Sequence, residues 1–291
     1  MSEGTIPYRG FETWYREEGS TDHGKLPVLC LHGGPGAAQD YLEPLFGLAE
    51  TGRRIVLYDQ IGCGRSPATG LDWRVELFVE EIDAVRVGLG LDRIHLFGNS
   101  WGGMLAMEYA LAQPDGLESL VLASSPASIP QWVEETAKLR ARLPPAVQET
   151  LDRHEAAGTV HDEEYVKACM EFYRRHVCRI WPFPDYVQRT FDQIGEVYET
   201  MNGPSEFHVV GTLRDWTVVP RLGEIRAPAL VVSGEHDEAT PAVNRTVAEG
   251  IPLAESVILP GCSHMAHAEQ PEQYLALLDG FFAQVESSVN V

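Results

Sequence analysis

Ser100 lies in a G-x-S-x-G motif at residues 98–102, and a serine in this setting can act as a nucleophile. An apolar run at residues 94–97 precedes the motif and a helical pattern at residues 104–111 follows it. Strand, tight turn and helix are the context that a nucleophile elbow requires, with small neighbours because the serine backbone is strained. The N–H groups at the start of the helix would face any negative charge that forms there. The pattern therefore predicts Ser100 as an activated nucleophile.

A neutral serine hydroxyl is a poor nucleophile, so it needs a base and an acidic residue that orients the base. In elbow-containing folds these partners follow later strands, in the order Ser, Asp or Glu, His. Asp237 comes directly after the apolar run at residues 230–233, and His264 follows the next predicted strand. His264 would accept the serine proton, and Asp237 would orient the imidazole and stabilise its charged form. Position and order together predict the triad Ser100, Asp237 and His264.

Other chemistry is less consistent with these residues. His236 precedes Asp237 and would break the chain order, and Cys262 lies on the wrong loop for the elbow, so we assign it to packing. His264 and His267 could hold a metal, but no H-E-x-x-H pattern supports this. Serine at position 100 argues against an aspartate-nucleophile hydrolase such as an epoxide hydrolase or dehalogenase. No metal and no other cofactor is predicted.

The H-G-G-P-G loop at residues 32–36 has two interpretations. A glycine-rich loop can cradle phosphate, but neither a following Gly-Lys-Ser/Thr nor a G-x-G-x-x-G pattern is present. The alternative, which we prefer, is a backbone N–H donor to an oxyanion, as in the His-Gly-Gly loops that accompany nucleophile elbows. The D-Q-I-G-C-G-R-S loop at residues 59–66 is predicted to fix backbone geometry beside the site.

Alternating strand and helix patterns predict an α/β protein with a parallel sheet covered by helices on both faces. The expected strands are residues 11–17 (an edge strand of a hairpin), 25–31, 54–58, 94–97, 119–123, 230–233 and 256–259. The expected core helices are residues 72–89 with Asp72 as N-cap, 104–113, 241–249 and 271–284. The pattern breaks near Pro126, and amphipathic stretches follow at residues 132–142, 146–157, 163–176 and 186–198. We therefore predict a core of residues 1–127 and 220–291 with a helical lid at residues 128–219.

Composition limits the possible partners. The chain has 291 residues, 44% of them hydrophobic, and a net charge of −21, which argues against nucleic acid or an anionic membrane as partner. Part of this negative potential could attract a cationic substrate if carboxylates lie in a cleft. Apolar runs fall short of the roughly 20 residues that span a bilayer and the N-terminus lacks signal-peptide features, so a cytoplasmic location is predicted. Five scattered cysteines without C-x-x-C spacing predict reduced thiols. The oligomeric state stays open.

Four segments carry a family resemblance: residues 32–36, 59–64, 98–103 and, most specifically, M-N-G-P-S-E-F at residues 201–207. Together they resemble the prolyl aminopeptidase (proline iminopeptidase) family of α/β-hydrolases, and in particular the tricorn-interacting aminopeptidases. The resemblance covers nearly the whole chain, lid included. It implies the α/β-hydrolase fold and a serine aminopeptidase that acts on small peptides or aminoacyl amides.

The resemblance also implies roles for individual residues. It implies a triad of Ser100, Asp237 and His264, an oxyanion hole from the backbone N–H groups of Gly34 and Trp101, and binding of the substrate α-amino group by Glu206 and Glu238. A protonated amine entering a partly dry cleft needs charge-assisted hydrogen bonds to replace its water. Two carboxylates at a fixed distance from the nucleophile would hold the substrate N-terminus so that the bond after its first residue lies at Ser100. The alternative for each glutamate is a solvated surface carboxylate. Some relatives carry Tyr where this chain has Trp101, a difference that leaves a backbone donor intact but can change the pocket.

The expected activity is release of an N-terminal amino acid, proline or a small apolar residue, from a peptide or amide with a free α-amino group, through an acyl-enzyme. One alternative is an aminoacyl amide hydrolase that removes an amino acid from a non-peptide metabolite amine. A non-catalytic binding module is disfavoured because such proteins typically lose a triad member. The sequence does not decide whether the released residue must be proline, since such pockets differ by only about 1–3 kcal/mol. Six lid aromatics could wall an acyl pocket or form the lid's own core, which is the default: Phe172, Tyr173, Trp181, Phe183, Tyr198 and Trp216.

Overall fold

The computed structural model describes residues 1–20 and 24–289, and within them eight strands form one sheet. The strands are β1 (Ser2–Tyr8), β2 (Phe11–Glu18), β3 (Val28–Leu31), β4 (Ile55–Tyr58), β5 (Ile94–Asn99), β6 (Leu117–Ala123), β7 (Ala229–Gly234) and β8 (Ala254–Leu259). Their order across the sheet is β1-β2-β4-β3-β5-β6-β7-β8. The first two strands pair antiparallel and every pair from β4 to β8 is parallel. The predicted α/β class is confirmed.

Helices connect the strands on both faces. They are α1 (Val75–Leu89), α2 (Trp101–Leu111), α3 (Ile129–Arg140), α4 (Pro145–Ala157), α5 (Glu163–His176), α6 (Asp185–Asp192), α7 (Glu196–Met201), α8 (Pro241–Gly250), α9 (Ala266–Glu269) and α10 (Pro271–Val289). Two 3-10 helical segments, Gln39–Thr51 and Val219–Glu224, complete the set. None of the helices in the described part of the chain combines the length and apolarity needed to cross a bilayer.

Three expectations about elements are wrong. Strand β2 is not an edge strand, because it pairs with β4 as well as with β1, which joins it through a two-residue turn with positive φ at Arg9 and Gly10. Helix α1 begins at Val75 without a side-chain cap, so Asp72 is not its N-cap. The stretch at residues 186–198 forms two helices because Gly195, with φ −147° and ψ −149°, interrupts the helical backbone.

The central strands are apolar on both faces because helices cover both. In β3, Leu29 and Leu31 face a cluster that includes α1 and α2, whereas Val28 and Cys30 face a cluster built from the 39–51 segment and α10. All four residues are fully buried. Burial of a large aliphatic side chain contributes about 1.5–3 kcal/mol, so these strands form a rigid platform for the loops at their carboxyl ends.

The chain between β6 and β7 is helical, and its two ends lie side by side next to the sheet. Ser128 and Thr217 form an isolated antiparallel bridge, and the Ile129 N–H donates to the Trp216 carbonyl at 3.0 Å. Helices α3 to α5 and the segment after α7 enclose a small apolar cluster of their own: Leu139, Leu143, Leu151, Tyr165, Ala168, Cys169, Phe172 and Phe207. The division into a core and a lid at residues 128–219 stays a prediction.

Candidate active site

Ser100 occupies the turn between β5 and α2 with φ 56° and ψ −121°, a conformation that non-glycine residues rarely adopt. Its N–H donates to the Ala123 carbonyl at 2.8 Å. A Cβ atom at Gly98 would lie 2.2 Å from the Gly102 carbonyl oxygen, and one at Gly102 would lie 2.2 Å from the Leu31 carbonyl oxygen. The turn therefore excludes side chains at both glycines, as the motif predicts for a strained elbow.

The predicted acid–base pair is in hydrogen-bond contact. His264 Nδ1 donates to Asp237 Oδ1 at 2.8 Å, and both residues are buried. The Asp237 carboxylate also accepts from Ser124 Oγ at 2.6 Å and from the Ala239 N–H at 2.8 Å. These donors hold the carboxylate in a fixed orientation. The role of Ser124 was not visible in the sequence, where nothing marks it as a partner of a residue 113 positions away.

The surroundings of His264 also set its protonation. Burial by itself lowers the pKa of His264, but the Asp237 carboxylate, together with the charges of Glu206 and Glu269, outweighs burial, and the pKa lies above its ordinary value. Ser100 and His264 line the same cavity, so a base and a nucleophile face one space. A raised pKa makes the imidazole a stronger proton acceptor in the pH range where it is neutral.

Two carboxylates line this cavity beside Ser100 and His264: Glu206, from the segment after α7, and Glu238, directly after Asp237. Glu238 is 1% exposed, and neither of its carboxylate oxygens has a hydrogen-bond partner in the described part of the chain. His264 Nδ1 lies 3.6 Å from Glu238 Oε1, so a protonated His264 would place a positive charge beside this carboxylate. Burial, together with the charges of Glu206 and Asp237, raises the pKa of Glu238 well above its usual range.

Glu206 is partly buried and held from two sides. The Tyr198 hydroxyl donates to Glu206 Oε1 at 2.7 Å, and the Trp132 indole N–H donates to the Glu206 carbonyl at 2.7 Å. Burial raises the pKa of Glu206 above its ordinary value. Neither glutamate is a freely solvated surface group, which was the alternative for each.

The glycine loop lies against the elbow. A Cβ atom at Gly33 would come within 2.9 Å of Ser100 Cβ, and Gly34 lines the cavity with φ 38°. The N–H groups of Gly34 and of Trp101, the first residue of α2, donate to no protein acceptor within residues 1–20 and 24–289. Two free donors therefore flank Ser100, the arrangement that an oxyanion hole requires.

The loop at residues 59–66 contacts both the glycine loop and the elbow. Asp59 accepts from the backbone N–H groups of Gln39 and Arg65 at 2.9 and 2.8 Å. Gln60 hydrogen-bonds with the His32 carbonyl and with the Trp101 indole. The loop thus fixes backbone geometry, as its sequence predicts. The indole of Trp101 packs edge-on against Phe78.

The aromatic residues of the predicted lid occupy different environments. Phe172 packs against Phe207 in the apolar cluster enclosed by helices α3 to α5, at a ring-centroid distance of 4.8 Å, so it is a core residue. Phe183 belongs to the cluster beneath α10, and Trp181 is 54% exposed. Tyr198 lines the cavity that holds Ser100, and Tyr173 lines an adjoining one.

The described residues contain one group with metal-ligand spacing, formed by residues at the end of α4 and around the start of α5. Ligand atoms of His154, Asp162 and Glu164 lie within 4.8 Å of one another. Asp162 already accepts from the Glu164 N–H at the start of α5, and Glu164 pairs with Arg153. None of these residues lines the cavity at Ser100.

Comparison with known proteins gives the family of this chain. The alpha/beta hydrolase fold family matches residues 27–271. A proline iminopeptidase of Saccharolobus solfataricus is 38% identical over 278 residues, which are 94% of this chain and 88% of the relative. One of Lactobacillus helveticus is 37% identical over 290 residues, which are 97% of this chain and 98% of the relative. The chain belongs to the proline iminopeptidase family of α/β-hydrolases.

Solved structures are similar over the full length. A proline iminopeptidase of Mycobacterium smegmatis superposes with a TM-score of 0.91 and 46% identity, covering 99% of this chain and 100% of the other. VinJ superposes with a TM-score of 0.94 and 45% identity, covering 98% of this chain and 99% of the other. The predicted family and the α/β-hydrolase fold are confirmed.

Proposed function

We propose that this protein is a serine aminopeptidase that releases N-terminal proline from small peptides or amides with a free α-amino group. The observation that carries the proposal is the buried carboxylate of Glu238, which has no hydrogen-bond partner among the described residues and lines one cavity with Ser100, His264 and Glu206. A buried carboxylate without a partner is costly unless a ligand supplies the missing donors. The names of the relatives in this family point to proline as the released residue.

The two glutamates suit a protonated secondary amine. The ring nitrogen of an N-terminal proline carries two N–H groups when protonated, one for each carboxylate. Charge-assisted hydrogen bonds to Glu206 and Glu238 would replace the water that the ammonium loses on entering the cavity. N-acetylation removes both the charge and the donors, so a blocked substrate would leave the carboxylates unpaired.

The reaction follows from the neighbours of Ser100. With the amine held, Ser100 Oγ attacks the prolyl carbonyl while His264 accepts its proton, and the N–H groups of Gly34 and Trp101 stabilise the oxyanion. His264 then protonates the leaving amine, the C–N bond breaks, and a prolyl ester of Ser100 remains. Water gives its proton to His264 and attacks the ester, which releases proline and restores the serine. Asp237 orients the imidazole throughout.

We further propose that residues 128–219 act as a lid over the core. Glu206 and Tyr198 come from this segment, whereas Ser100, Asp237 and His264 follow strands of the sheet. One side of the amine anchor is thus carried by the lid. Docking of the lid would be required for substrate binding as well as for exclusion of water.

The test is kcat/KM for purified protein on prolyl, alanyl and leucyl aryl amides, each with a free and an N-acetylated amine, with Ser100→Ala as the inactive control. We expect free prolyl amide to be preferred, acetylated amides to be almost inert, and the variant to lose turnover. Equal turnover of blocked and free amides would contradict the amine anchor.

A second candidate is hydrolysis of an aminoacyl amide whose leaving group is a larger apolar amine. It is favoured by an adjoining lid cavity that shares Phe191, Ile194, Tyr198 and Glu206 with the cavity at Ser100. Val166, Met170 and Tyr173 give this second cavity an apolar wall. A series of prolyl and alanyl amides of alkyl amines of increasing length separates the candidates: rising kcat/KM with length favours the larger amine, and a fall favours peptides.

A further inference from the structure

Two backbone segments meet at Ser100, and both carry a proposed oxyanion donor. Residues 32–34 follow β3 and include Gly34, while residues 99–101 include the elbow and Trp101. The segments come from different strands, so nothing local in the chain fixes their separation. Two side chains from outside both segments connect them.

The first connection is the hydroxyl of Tyr41. It accepts a hydrogen bond from the Gly33 N–H at 2.7 Å and donates to Asn99 Oδ1 at 2.6 Å. One buried oxygen atom therefore joins the residue before Gly34 to the residue before Ser100.

The position of Tyr41 is itself fixed by two elements, α6 and α9. Its N–H donates to Thr190 Oγ1 of α6 at 3.0 Å, and its carbonyl accepts from His267 Nε2 of α9 at 3.0 Å. The Tyr41 ring packs against the His267 ring with the centroids 5.5 Å apart. Tyr41 is 2% exposed, so its hydroxyl cannot leave the gap without displacing these neighbours.

The second connection is the side chain of Gln60. Its Nε2 donates to the His32 carbonyl at 2.9 Å, and its Oε1 accepts from the Trp101 indole N–H at 2.9 Å. The Gln60 N–H also donates to His32 Nε2 at 3.0 Å. Gln60 is completely buried and joins the same two segments as Tyr41 through different atoms.

We infer that Tyr41 and Gln60 are positioning residues that set the separation of the Gly34 and Trp101 N–H groups, and hence the width of the oxyanion hole. Neither side chain takes part in the covalent steps. Their effect is exerted through the backbone donors, whose distance to a developing oxyanion determines their value. The inference rests on the proposed function only for the location of the hole.

The experiment separates the hole from the amine anchor. An alkyl fluorophosphonate phosphonylates Ser100: the serine oxygen bonds to phosphorus, fluoride leaves, the proton goes to His264, and the phosphoryl oxygen needs the hole but no amine. Pyrrolidine, a cyclic amine without a carbonyl, needs the anchor but not the hole. We would measure the phosphonylation rate constant and the calorimetric Kd of pyrrolidine for the wild type, Tyr41→Phe and Gln60→Leu.

Tyr58→Phe is the matched control. Tyr58 is also completely buried, but its hydroxyl has no hydrogen-bond partner in the described part of the chain. Tyr58→Phe removes the same hydroxyl oxygen from a similarly buried site, and no hydrogen bond to residues 32–34 or 99–101 is lost with it. Thermal unfolding of all variants reports any general loss of structure.

For Tyr41→Phe and Gln60→Leu we expect phosphonylation to slow about 10- to 100-fold, because small displacements of catalytic groups reduce rates by such factors. The Kd of pyrrolidine should change less than about twofold, and Tyr58→Phe should match the wild type in both. Unchanged phosphonylation in both variants, an equal loss of pyrrolidine binding, or the same loss in Tyr58→Phe would overturn the inference. If pyrrolidine does not bind the wild type, the amine anchor of the proposed function fails, and the phosphonylation rates still decide the role of Tyr41 and Gln60.

Discussion

Glu238 shows a conflict between stability and the proposed activity at the scale of one residue. Its carboxylate is buried, lacks hydrogen-bond partners within residues 1–20 and 24–289, and lies near the negative charges of Glu206 and Asp237. Folding therefore favours the protonated form, whereas binding of an ammonium favours the ionised form. A residue that only stabilised the fold would not combine these features.

We predict that Glu238→Gln reduces kcat/KM for a free prolyl amide by at least about 100-fold, because it removes one half of a buried charge pair with the substrate. The same variant should be more stable than the wild type by about 1 kcal/mol or more at pH 8. The pKa of Glu238 is raised in the folded state, so its contribution to stability is lost as pH rises above about 4.3, the unfolded value. The gain in the variant should accordingly be larger at pH 8 than at pH 5.

Kinetics and chemical unfolding at both pH values measure these effects. The control is Glu235→Gln, which removes an exposed carboxylate from the same loop. Wild-type turnover in Glu238→Gln, or an equal stability change at the two pH values, would contradict the assignment.

His264 leads to a prediction about pH. Since its pKa lies above the ordinary value of about 6.5 and only the neutral imidazole can accept the serine proton, reactivity should decline as pH falls through a midpoint above about 6.5. The phosphonylation rate of Ser100 as a function of pH measures this midpoint without the amine of a substrate. A midpoint below about 6 would show that Asp237 does not dominate the environment of His264.

At the scale of elements, helix α6 is tied to the core beside the site by polar contacts to the buried Asp40. Asp40 accepts from Arg189 of α6, from Gln193 directly after α6, and from Arg65 of the 59–66 loop. Burial opposes ionisation of Asp40, but the hydrogen bonds from Arg65 and Gln193 lower its pKa to about 2. Asp40 is therefore charged at any physiological pH, and α6 stays attached to the segment that carries Tyr41.

Thr190 provides a direct test of this attachment. Its hydroxyl accepts the Tyr41 N–H, one of the donors that the start of the 39–51 segment leaves without an internal partner. We predict that Thr190→Val lowers the free energy of unfolding by about 1–3 kcal/mol, because a buried N–H loses its acceptor. Hydrogen exchange at the Tyr41 amide should become faster in the same variant.

Thr150→Val is the comparison, since the Thr150 hydroxyl donates to the Ala146 carbonyl of its own helix, α4. We expect a change below about 0.5 kcal/mol there. Equal effects of the two substitutions, measured by chemical unfolding, would show that Thr190 does not anchor α6.

At the scale of the whole molecule, the net charge of −21 acts together with the carboxylates of the cavity. A negative potential attracts a cationic substrate, and salt screens this attraction over a Debye length of about 10 Å at 0.1 M. We predict that kcat/KM for free prolyl amide falls several-fold between about 20 and 500 mM NaCl. Phosphonylation by the neutral fluorophosphonate should not change, and a parallel fall in both rates would contradict electrostatic attraction. The cytoplasmic location stays a prediction, as does the exclusion of nucleic acid and membrane partners.

The sequence by itself determined the features that local patterns encode. Alternating apolar runs and amphipathic stretches predicted the α/β sheet, because strand and helix periodicities differ over a few residues. The elbow at Ser100 was predicted from the glycines at positions 98 and 102. Asp237 and His264 were predicted from their order in the chain, since each follows a predicted strand. The M-N-G-P-S-E-F segment, which contains Glu206, carried the family resemblance most specifically, although the function of Glu206 came from resemblance alone.

Only the tertiary structure decided what depends on contacts between distant parts of the chain. Tyr41 contacts Asn99, 58 residues away, and Thr190, 149 residues away, and no periodicity signals either contact. The absence of partners for Glu238 is likewise a property of its surroundings and not of its neighbours in the sequence. Strand β2 likewise lies inside the sheet because β1 pairs with its other side and forms the edge. Local patterns specify which elements form, whereas side-chain packing across those elements sets the distances on which the chemistry depends.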